Sequence, residues 1–371
     1  MRDTGEAEIR QLLDRRARAV LNGDEAGFLA TSGTGAAART RFTDLRELPL
    51  AAWSYRLTGV RRTGDRATAD AELDYRVHGY DQSSVRTVRT LRLTRSGGRW
   101  YVVSERPGPK SGQQLWDQGA VRAVRGKHSL VLGVGQSRAV LRGYAELADR
   151  SVPTVSKVWR SRWAGRVVVL VPKSLPGMAA LLGAPASGYR GIAAVTTGEA
   201  GGSGQAPADR IIVNPQAYGL LGGLGRQVVL THETTHVATR AQTSAATPLW
   251  LSEGYADWVG YLGTGRTAAQ AAPELRAAVQ DGELPGRLPD DGDFAFAGDA
   301  SRLARAYESG WLACAMIAQT WGPARLGEFY RAVGEHNGRP GAVESALTEV
   351  FGITLDRFTA QWREYVASWL T

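Results

Sequence analysis

Residues 228–238 read VVLTHETTHVA, an apolar run that is interrupted by His232, Glu233 and His236. On a helix, positions i and i+4 lie on the same face, so His232 and His236 can present two imidazole rings to one cation. Glu233 would then lie beside them, within reach of a water bound to that cation. The stretch predicts a metal-dependent hydrolytic site, and the alternative is a chance match in a plain buried helix.

A third ligand is expected downstream, because zinc in hydrolytic sites takes three protein ligands and keeps one open position. Residues 247–258 read TPLWLSEGYADW and contain Glu253. Pro248 suits the first position of a helix, and the Thr247 hydroxyl can cap the free amides, so Glu253 would lie in mid-helix. Glu253 follows His236 by 253 − 236 = 17 residues, which leaves room for a loop before this helix returns antiparallel to the first.

These two segments resemble the gluzincin metallopeptidases, the clan of thermolysin and aminopeptidase N. In that clan, two histidines of a His-Glu-x-x-His motif and a glutamate on the following helix hold zinc. The segment WLSEGYA at residues 250–256 matches the clan's Trp-Leu-x-Glu-Gly pattern. The resemblance implies one Zn²⁺ per chain, held by His232, His236 and Glu253, with Glu233 as the general base. It also implies a peptide or protein substrate.

The same resemblance implies roles for two further side chains. Asp257 stands one helical turn after Glu253, where thermolysin-like enzymes place a carboxylate that accepts a hydrogen bond from the first zinc histidine. Tyr307 follows Glu253 by 307 − 253 = 54 residues and is the candidate donor that stabilises the oxyanion. His336 or Tyr330 could serve instead. The plainer interpretations are a solvated Asp257 and an ordinary interfacial Tyr307.

The composition excludes several classes of protein. The chain has 371 residues, 43% of them hydrophobic, which suffices for ordinary globular cores in two or three domains. Cys314 is the single cysteine, so no internal disulfide forms, and its apolar surroundings indicate a buried thiol. The formal charge of +9 could suit nucleic acid or an anionic membrane, but the arginines are spread over all regions without a nucleic-acid module. We therefore expect a solvated basic surface and no nucleic-acid partner.

No apolar stretch is long enough for a transmembrane helix, which needs about 18 residues or more. Residues 9–21 have apolar side chains at helical spacing among arginines, so they are amphipathic and do not resemble a signal peptide. The chain enters this helix almost directly after Met1, as a chain trimmed of a signal or an anchor would. We expect an extracytoplasmic location if it was trimmed, as for the many similar bacterial proteins that are exported, and a cytoplasmic location otherwise.

Residues 1–105 predict a small α+β domain. Residues 66–78 alternate apolar or small side chains with polar ones, as a strand with one buried face does. The other predicted elements are a first helix at residues 9–21, short helices at residues 25–30 and 43–48, and strands at residues 52–61, 84–94 and 99–103. Helices followed by an antiparallel sheet resemble the cone-shaped fold of the nuclear transport factor 2-like superfamily. We expect an accessory domain that positions the rest of the chain or forms a homodimer, rather than an enzyme built on His78.

Residues 106–112, RPGPKSG, have the composition of an interdomain linker, and residues 113–371 are assigned to the gluzincin-like domain. The predicted strand at residues 191–195 is the candidate for the edge strand that pairs with an extended substrate in that clan. The Gly-x-Met-Glu-Asn motif of aminopeptidases is missing, which favours an endopeptidase. The other predicted elements are helices at residues 116–124, 137–148, 303–321, 324–333, 341–350 and 355–368, strands at residues 130–132, 166–172 and 210–213, and loops at residues 198–209 and 263–301.

The sequence thus predicts an α+β chain in which a cone-shaped nuclear transport factor 2-like domain precedes a gluzincin metallopeptidase domain. The second domain would combine an edge-stranded sheet, active-site helices and a helical C-terminal part. The predicted function is zinc-dependent peptide hydrolysis. One alternative is a zinc-stabilised binding protein with little or no turnover, which Glu233 argues against because a structural zinc needs no base. The other is a small-molecule enzyme in the N-terminal cone, whose turnover would survive loss of zinc.

Overall fold

The computed structural model describes residues 4–33, 35–197, 209–295 and 299–370. The chain divides into two compact units. The sheet unit consists of residues 1–146 and 166–220, and the helical unit consists of residues 147–165 and 221–371. Within the described ranges every strand belongs to the sheet unit, so the chain is α+β with a helical C-terminal part, as predicted. The division of the sequence at residues 105 and 113 stays a prediction.

The sheet unit opens with helices and a four-stranded antiparallel sheet, the first sheet. Its elements are helices α1 (Thr4–Leu21), α2 (Glu25–Ala30) and α3 (Ala36–Leu45) and strands β1 (Leu50–Thr63), β2 (Arg66–Val77), β3 (Val85–Ser96) and β4 (Arg99–Pro107), with the strands paired in chain order. Strand β2 buries every second residue, from Ala67 to Val77, which is the alternation read from the sequence. The helix predicted at residues 43–48 is confirmed only over residues 43–45, and it begins earlier, at Ala36. The helix ends at Leu45, since Pro49 disfavours helical backbone at the residue before it.

A second sheet of five strands completes the sheet unit. Its elements are the 3₁₀ helix η1 (Leu115–Asp117), β5 (Val121–Arg125), β6 (Ser129–Val134), α4 (Arg138–Val158), β7 (Val167–Val171), α5 (Leu175–Leu182), η2 (Ala186–Tyr189), β8 (Ala194–Thr196), β9 (Ile211–Val213) and α6 (Pro215–Leu220). The strand order is β5-β6-β7-β9-β8, with β6, β7 and β9 parallel and the two edge strands antiparallel to their neighbours.

Two predictions for this region need correction. Residues 116–124 do not form an α-helix: residues 116 and 117 belong to the 3₁₀ helix η1, and residues 121–125 pair with β6 as strand β5. Helix α4 continues past residue 148 to Val158 and includes Pro153. The predicted loop at residues 198–209 lies outside the described residues except for Asp209.

The predicted edge strand does lie at an edge. Strand β8 pairs antiparallel with β9, with Ala194 opposite Val213, and terminates the second sheet. It begins at Ala194, later than the predicted start at residue 191. That this edge binds an extended substrate stays a prediction.

Buried ion pairs join η1 to the first sheet. The Arg89 side chain is fully buried, and its guanidinium donates to both carboxylate oxygens of Asp117 at 2.7 and 2.9 Å. Nε of Arg89 donates to Glu105 at 3.1 Å. Burial raises the pKa of Asp117, but Arg89 outweighs burial and lowers it. Removing one partner of such a buried pair costs about 3–5 kcal/mol, so these contacts hold η1 against the sheet.

Trp116, the middle residue of η1, packs onto the inner side of the first sheet. Its ring centroid lies 4.9 Å from that of Tyr75 and 5.3 Å from that of Trp53. The cavity that remains beside Trp116 and Tyr75 measures about 20 Å³. This is room for roughly one water molecule, so the cavity is too small for an organic substrate.

The segment at residues 106–112, predicted as a linker, is hydrogen-bonded to the first sheet at Gly108 and Ser111. Strand β4 extends to Pro107, and the Gly108 amide donates to the Val88 carbonyl at 2.8 Å. The Val88 amide donates to Ser111 Oγ at 3.2 Å. The segment therefore continues the edge of the first sheet.

The helical unit contains the motif helices and the C-terminal part. Its elements are α7 (Gly223–Thr239), η3 (Arg240–Gln242), α8 (Leu249–Tyr261), α9 (Ala268–Ala271), α10 (Pro273–Gln280), η4 (Asp291–Phe294), α11 (Ala300–Thr320), α12 (Pro323–Glu335), α13 (Ala342–Phe351) and α14 (Leu355–Leu370). The four predicted C-terminal helices are confirmed, with α11 starting earlier than predicted. The loop predicted at residues 263–301 is wrong where α9, α10 and η4 form, and α11 begins inside it at Ala300. Helix α8 packs between α7 and α11, and Cys314 is buried as predicted. None of the helices described is both long enough and apolar enough to cross a membrane.

Candidate metal centre

Helix α7 carries His232 and His236, and a polar network anchors it just before His232. Thr231 Oγ1 lies 2.9 Å from Ser151 Oγ on α4. Nε2 of Gln227 donates to the hydroxyl oxygens of both residues, at 2.9 Å to Ser151 and 3.1 Å to Thr231. Because Gln227 and Thr231 are one helical turn apart, the network fixes the rotation of α7 about its axis.

Three potential ligand atoms converge between α7 and α8. Nε2 of His232 and Nε2 of His236 lie 2.9 Å apart. Oε2 of Glu253 lies 3.3 Å from the His232 nitrogen and 3.6 Å from the His236 nitrogen. The structure therefore brings together the three residues that the sequence resemblance names as zinc ligands.

The spacing of these atoms fits a tetrahedral cation. Zinc bonds of about 2.0–2.1 Å place neighbouring ligand atoms of a tetrahedron roughly 3.3 Å apart. The distances to Glu253 are close to this value, and the distance between the two nitrogens is slightly shorter. Two imidazoles and one carboxylate are also a ligand set of zinc hydrolases. In the part of the chain that the structure describes, no fourth His, Cys, Asp or Glu joins the group.

The carboxylate of Asp257 holds His232 from the side opposite the cluster. Oδ1 of Asp257 lies 2.7 Å from Nδ1 of His232, which assigns the proton to Nδ1 and leaves Nε2 for the cluster. Burial lowers the pKa of His232, but Asp257 and Glu253 outweigh burial and raise it well above its ordinary value. Burial raises the pKa of Glu253, and His236 and His232 outweigh that effect and lower it. The cluster attracts a positive charge, which a divalent cation can supply in place of a proton.

We expect Asp257→Asn to weaken zinc binding by about 10- to 100-fold, because an amide is a poorer acceptor for the Nδ1 proton of His232. Competition with a chromophoric chelator measures the affinity. Asp281→Asn is the matched control, since Asp281 is an exposed residue of the same unit. Equal affinities of Asp257→Asn and the native chain would remove Asp257 from the site.

Helix α8 begins at Leu249, one residue later than the sequence predicts. Pro248 occupies the N-cap position, and Thr247 Oγ1 accepts a hydrogen bond from the Ser244 amide at 3.1 Å. The Leu249 amide donates to Asp291 Oδ1 at 2.9 Å. The prediction that Thr247 caps this helix is therefore wrong, because a carboxylate distant in sequence binds the helix end.

Glycines let α8 approach both neighbouring helices at backbone distance. Gly254 lies so close to the backbone of Gly310 on α11 that no Cβ fits between them. A Cβ on Gly310 would lie 2.6 Å from the Trp250 carbonyl oxygen. On the opposite side, a Cβ on Gly260 would lie 3.1 Å from a carbonyl oxygen of α7. The contact of Gly254 with Gly310 sets the distance between α8 and α11, and the contact of Gly260 sets the distance between α7 and α8. Together they place Glu253 relative to the histidines.

We expect Gly310→Ala to destabilise the fold by about 1–3 kcal/mol, because the new methyl group forces α8 and α11 apart. The shift moves Glu253, so zinc affinity should fall as well. Thermal unfolding with and without zinc measures both effects. Gly143→Ala is the matched control, since a Cβ at this helical glycine meets nothing within 4 Å and should leave or raise the stability. A Gly310→Ala protein as stable as the control would contradict the expected strain.

Glu233 and Tyr307, the two predicted catalytic residues, lie on different helices. Glu233 is buried on α7, next to His232. Tyr307 is half-buried in the second turn of α11, and its ring centroid lies 5.1 Å from that of Phe294. Their catalytic roles stay predictions.

The two alternatives to Tyr307 already have other partners. Tyr330 is fully buried, and its hydroxyl oxygen lies 2.7 Å from Thr243 Oγ1. Its ring packs against that of Tyr255 at 5.2 Å. Nδ1 of His336 lies 2.9 Å from the Gly338 carbonyl oxygen, at the end of α12. The contacts with Thr243 and Tyr255 give Tyr330 a role in the core.

Two residues beside Asp257 were not predicted. Tyr261 follows Asp257 by one turn of α8, and burial, followed by Asp257 and Glu308, raises its pKa. Burial raises the pKa of Glu308 to about 7, and its carboxylate accepts a hydrogen bond from the Leu275 amide. Extending the helical spacing beyond Asp257 would have identified Tyr261. Glu308 gave no such signal, because it comes from another helix.

No family model matches the chain, and no curated protein matches it. Among solved structures, native yeast LTA4 hydrolase is 10% identical, with a TM-score of 0.40 over 85% of this chain and 59% of that one. A mutant M1 zinc metallopeptidase from Deinococcus radiodurans, bound to the substrate Tyr-Ser-Ala, is 15% identical, with a TM-score of 0.33 over 87% of this chain and 62% of that one.

A third neighbour matches a smaller part of the chain. It is a nuclear transport factor 2-like design that is 14% identical, with a TM-score of 0.24 over 29% of this chain and all of its own length. The chain spans about three fifths of the LTA4 hydrolase chain and about three fifths of the M1 metallopeptidase chain. These likenesses are too low to carry a statement about function, which has to come from the site.

Proposed function

We propose that the chain is a zinc-dependent peptidase of the gluzincin kind, with one Zn²⁺ held by His232, His236 and Glu253. The observation that carries the proposal is that three ligand atoms converge without a fourth protein ligand among the described residues. A structural zinc is normally closed by four protein ligands, whereas a catalytic zinc keeps one position for water or substrate. Endopeptidase activity is favoured, because the aminopeptidase motif is missing from the sequence.

Each side chain of the site has a task in this proposal. A bound zinc would lower the pKa of a coordinated water to about 7 and polarise the peptide carbonyl. Glu233 accepts the proton of the attacking water and then donates it to the leaving amine. Asp257 keeps His232 in one orientation and one tautomer by accepting its Nδ1 proton.

The geometry argues against both alternative functions. A zinc-stabilised binding protein would need the closed ligand set that the described residues do not provide. A small-molecule enzyme inside the N-terminal cone would need a pocket of about 300 Å³ or more on the inner side of the first sheet. The cavity beside Trp116 measures about 20 Å³.

Metal analysis combined with digestion of an unbiased peptide library tests the proposal. We expect about one zinc per chain and cleavage within peptides, lost with a chelator and restored by zinc. Full zinc occupancy without cleavage would favour the binding protein. Turnover of a small molecule that survives metal removal would favour the N-terminal enzyme.

We predict that Tyr307→Phe lowers kcat by about 10- to 1000-fold with KM and zinc content nearly unchanged, because a donor to the oxyanion acts only in the transition state. Steady-state kinetics with a cleaved library peptide measure the two constants. Tyr330→Phe is the matched control. It should lower stability by about 1 kcal/mol through loss of the Thr243 hydrogen bond and leave kcat unchanged. An effect of Tyr307→Phe confined to KM would assign the role to another residue.

A further inference from the structure

The positive charge of the chain is concentrated in one unit. The sheet unit has 29 Lys and Arg residues and 18 Asp and Glu residues, a net charge of 29 − 18 = +11. The helical unit has 16 and 18 respectively, a net charge of 16 − 18 = −2. The basic surface therefore belongs to the unit without the histidine cluster, although the sequence alone presented it as spread over the chain.

Within the sheet unit, arginines line a groove of about 520 Å³ on the first sheet. Strand β2 exposes Arg66 and buries Ala67, so the arginine side chains lie on the solvent face. The groove is defined by six residues of β1, β2 and β3 and is called the arginine groove: Arg61, Thr63, Arg66, Thr68, Arg92 and Thr94.

Strand register alternates arginine and threonine across the arginine groove. Thr68 pairs with Arg61 on one side and with Arg92 on the other. Arg66 pairs with Thr94, so Arg92 is its diagonal neighbour, at about 7–8 Å between Cα atoms. Side chains on one face of an extended peptide repeat at about 6.6–6.8 Å. The two arginines thus have a spacing close to that of alternate residues of an extended chain.

Arg66 and Arg92 are also the two groove arginines whose charge is not paired with a carboxylate among the described residues. Arg61 forms an ion pair with Asp70 at 2.8 Å. Arg66 and Arg92 are exposed and form no ion pair with another residue that the structure describes. A guanidinium binds a carboxylate through two parallel hydrogen bonds, and the neighbouring threonine hydroxyls can bind backbone groups.

We propose that the arginine groove binds an acidic peptide segment in extended conformation, with Arg66 and Arg92 each binding one of two alternate carboxylates. Single-stranded nucleic acid is a poorer fit because it needs aromatic rings for base stacking, and no aromatic residue is among the described residues that line the groove. A membrane surface is a poorer fit because Val103 is the one large apolar side chain exposed there. The site goes beyond the proposed peptidase function and does not depend on it.

Fluorescence anisotropy with the full chain tests the groove. The probe is a labelled peptide of alternating glutamate and serine, and the reference is the same peptide with glutamine. We expect Arg66→Ala combined with Arg92→Ala to weaken binding of the glutamate peptide by about 10-fold or more, since two charge-assisted contacts are lost. Arg15→Ala combined with Arg18→Ala is the matched control, because these exposed arginines of α1 give the same change in net charge. It should change the Kd by less than about 2-fold, as expected of surface charges outside the site.

A second double variant distinguishes a loss of binding from a folding defect. Arg66→Lys combined with Arg92→Lys keeps the charge and removes the parallel hydrogen bonds, so its affinity should lie between the native chain and the alanine pair. Equal weakening by the groove pair and the α1 pair would mean general attraction to a basic unit and would overturn the proposal. Equal binding of the glutamine peptide, or tighter binding of oligothymidylate or of phosphatidylglycerol vesicles, would also overturn it. Mass spectrometry after each titration verifies that the peptide is intact.

Discussion

Glu233→Gln is expected to retain zinc and lose peptide hydrolysis by about 100- to 10,000-fold. Glutamine has nearly the same shape as glutamate, so the buried position on α7 and the three ligand atoms stay in place. An amide cannot take the proton of the attacking water, and the loss should therefore appear in kcat. Rates with a library peptide and zinc content measured on the same sample give both values.

The control for this variant is Glu335→Gln, which changes an exposed glutamate of the same unit. Glu335→Gln should retain the native rate of peptide hydrolysis and the native zinc content. Hydrolysis by Glu233→Gln at the native rate would show that Glu233 is not the base. Loss of zinc from Glu233→Gln would instead assign Glu233 to the metal.

His232→Ala and His236→Ala are each expected to reduce bound zinc from about one per chain to near zero, because two ligands do not hold zinc in competition with buffer and water. Zinc stabilises the native chain by binding its folded state, so added zinc should raise the Tm of the native chain and leave that of both variants unchanged. Elemental analysis and thermal unfolding measure the two effects.

His78→Ala is the control, since His78 is an exposed histidine of the sheet unit. It should retain the full zinc content and the full shift in Tm. Zinc bound stoichiometrically to His236→Ala would contradict the ligand assignment. No metal in a folded native chain supplied with zinc would contradict the zinc site altogether.

The sequence predicts those parts of the site whose residues lie close together in the chain. His232 and His236 lie one helical turn apart, so a helix alone brings their rings together. Glu253 was assigned through a resemblance, because the loop between α7 and α8 carries no signal for how the two helices pack. The contact of Gly254 with Gly310 joins residues far apart in sequence. From the sequence alone, a single glycine in a helical pattern indicates only a less stable helix.

The fold was predictable where one face of an element is buried. The alternation of β2 predicts its strand directly, whereas the five residues of β5 are too few to show a clear period. Helix α4 continues beyond the predicted end at residue 148 and through Pro153, a residue that disfavours a helix interior. In both cases tertiary contacts outweigh the local preference.

Trypsin should cleave the native chain slowly after Lys110, although Lys110 is an exposed basic residue in a segment rich in proline and glycine. A protease needs an extended, released backbone, and the Gly108 amide is bonded to Val88 of β3. A fragment that ends at residue 112 would also lack Asp117 and leave Arg89 buried with one carboxylate fewer. A separable N-terminal fragment therefore has to extend beyond η1.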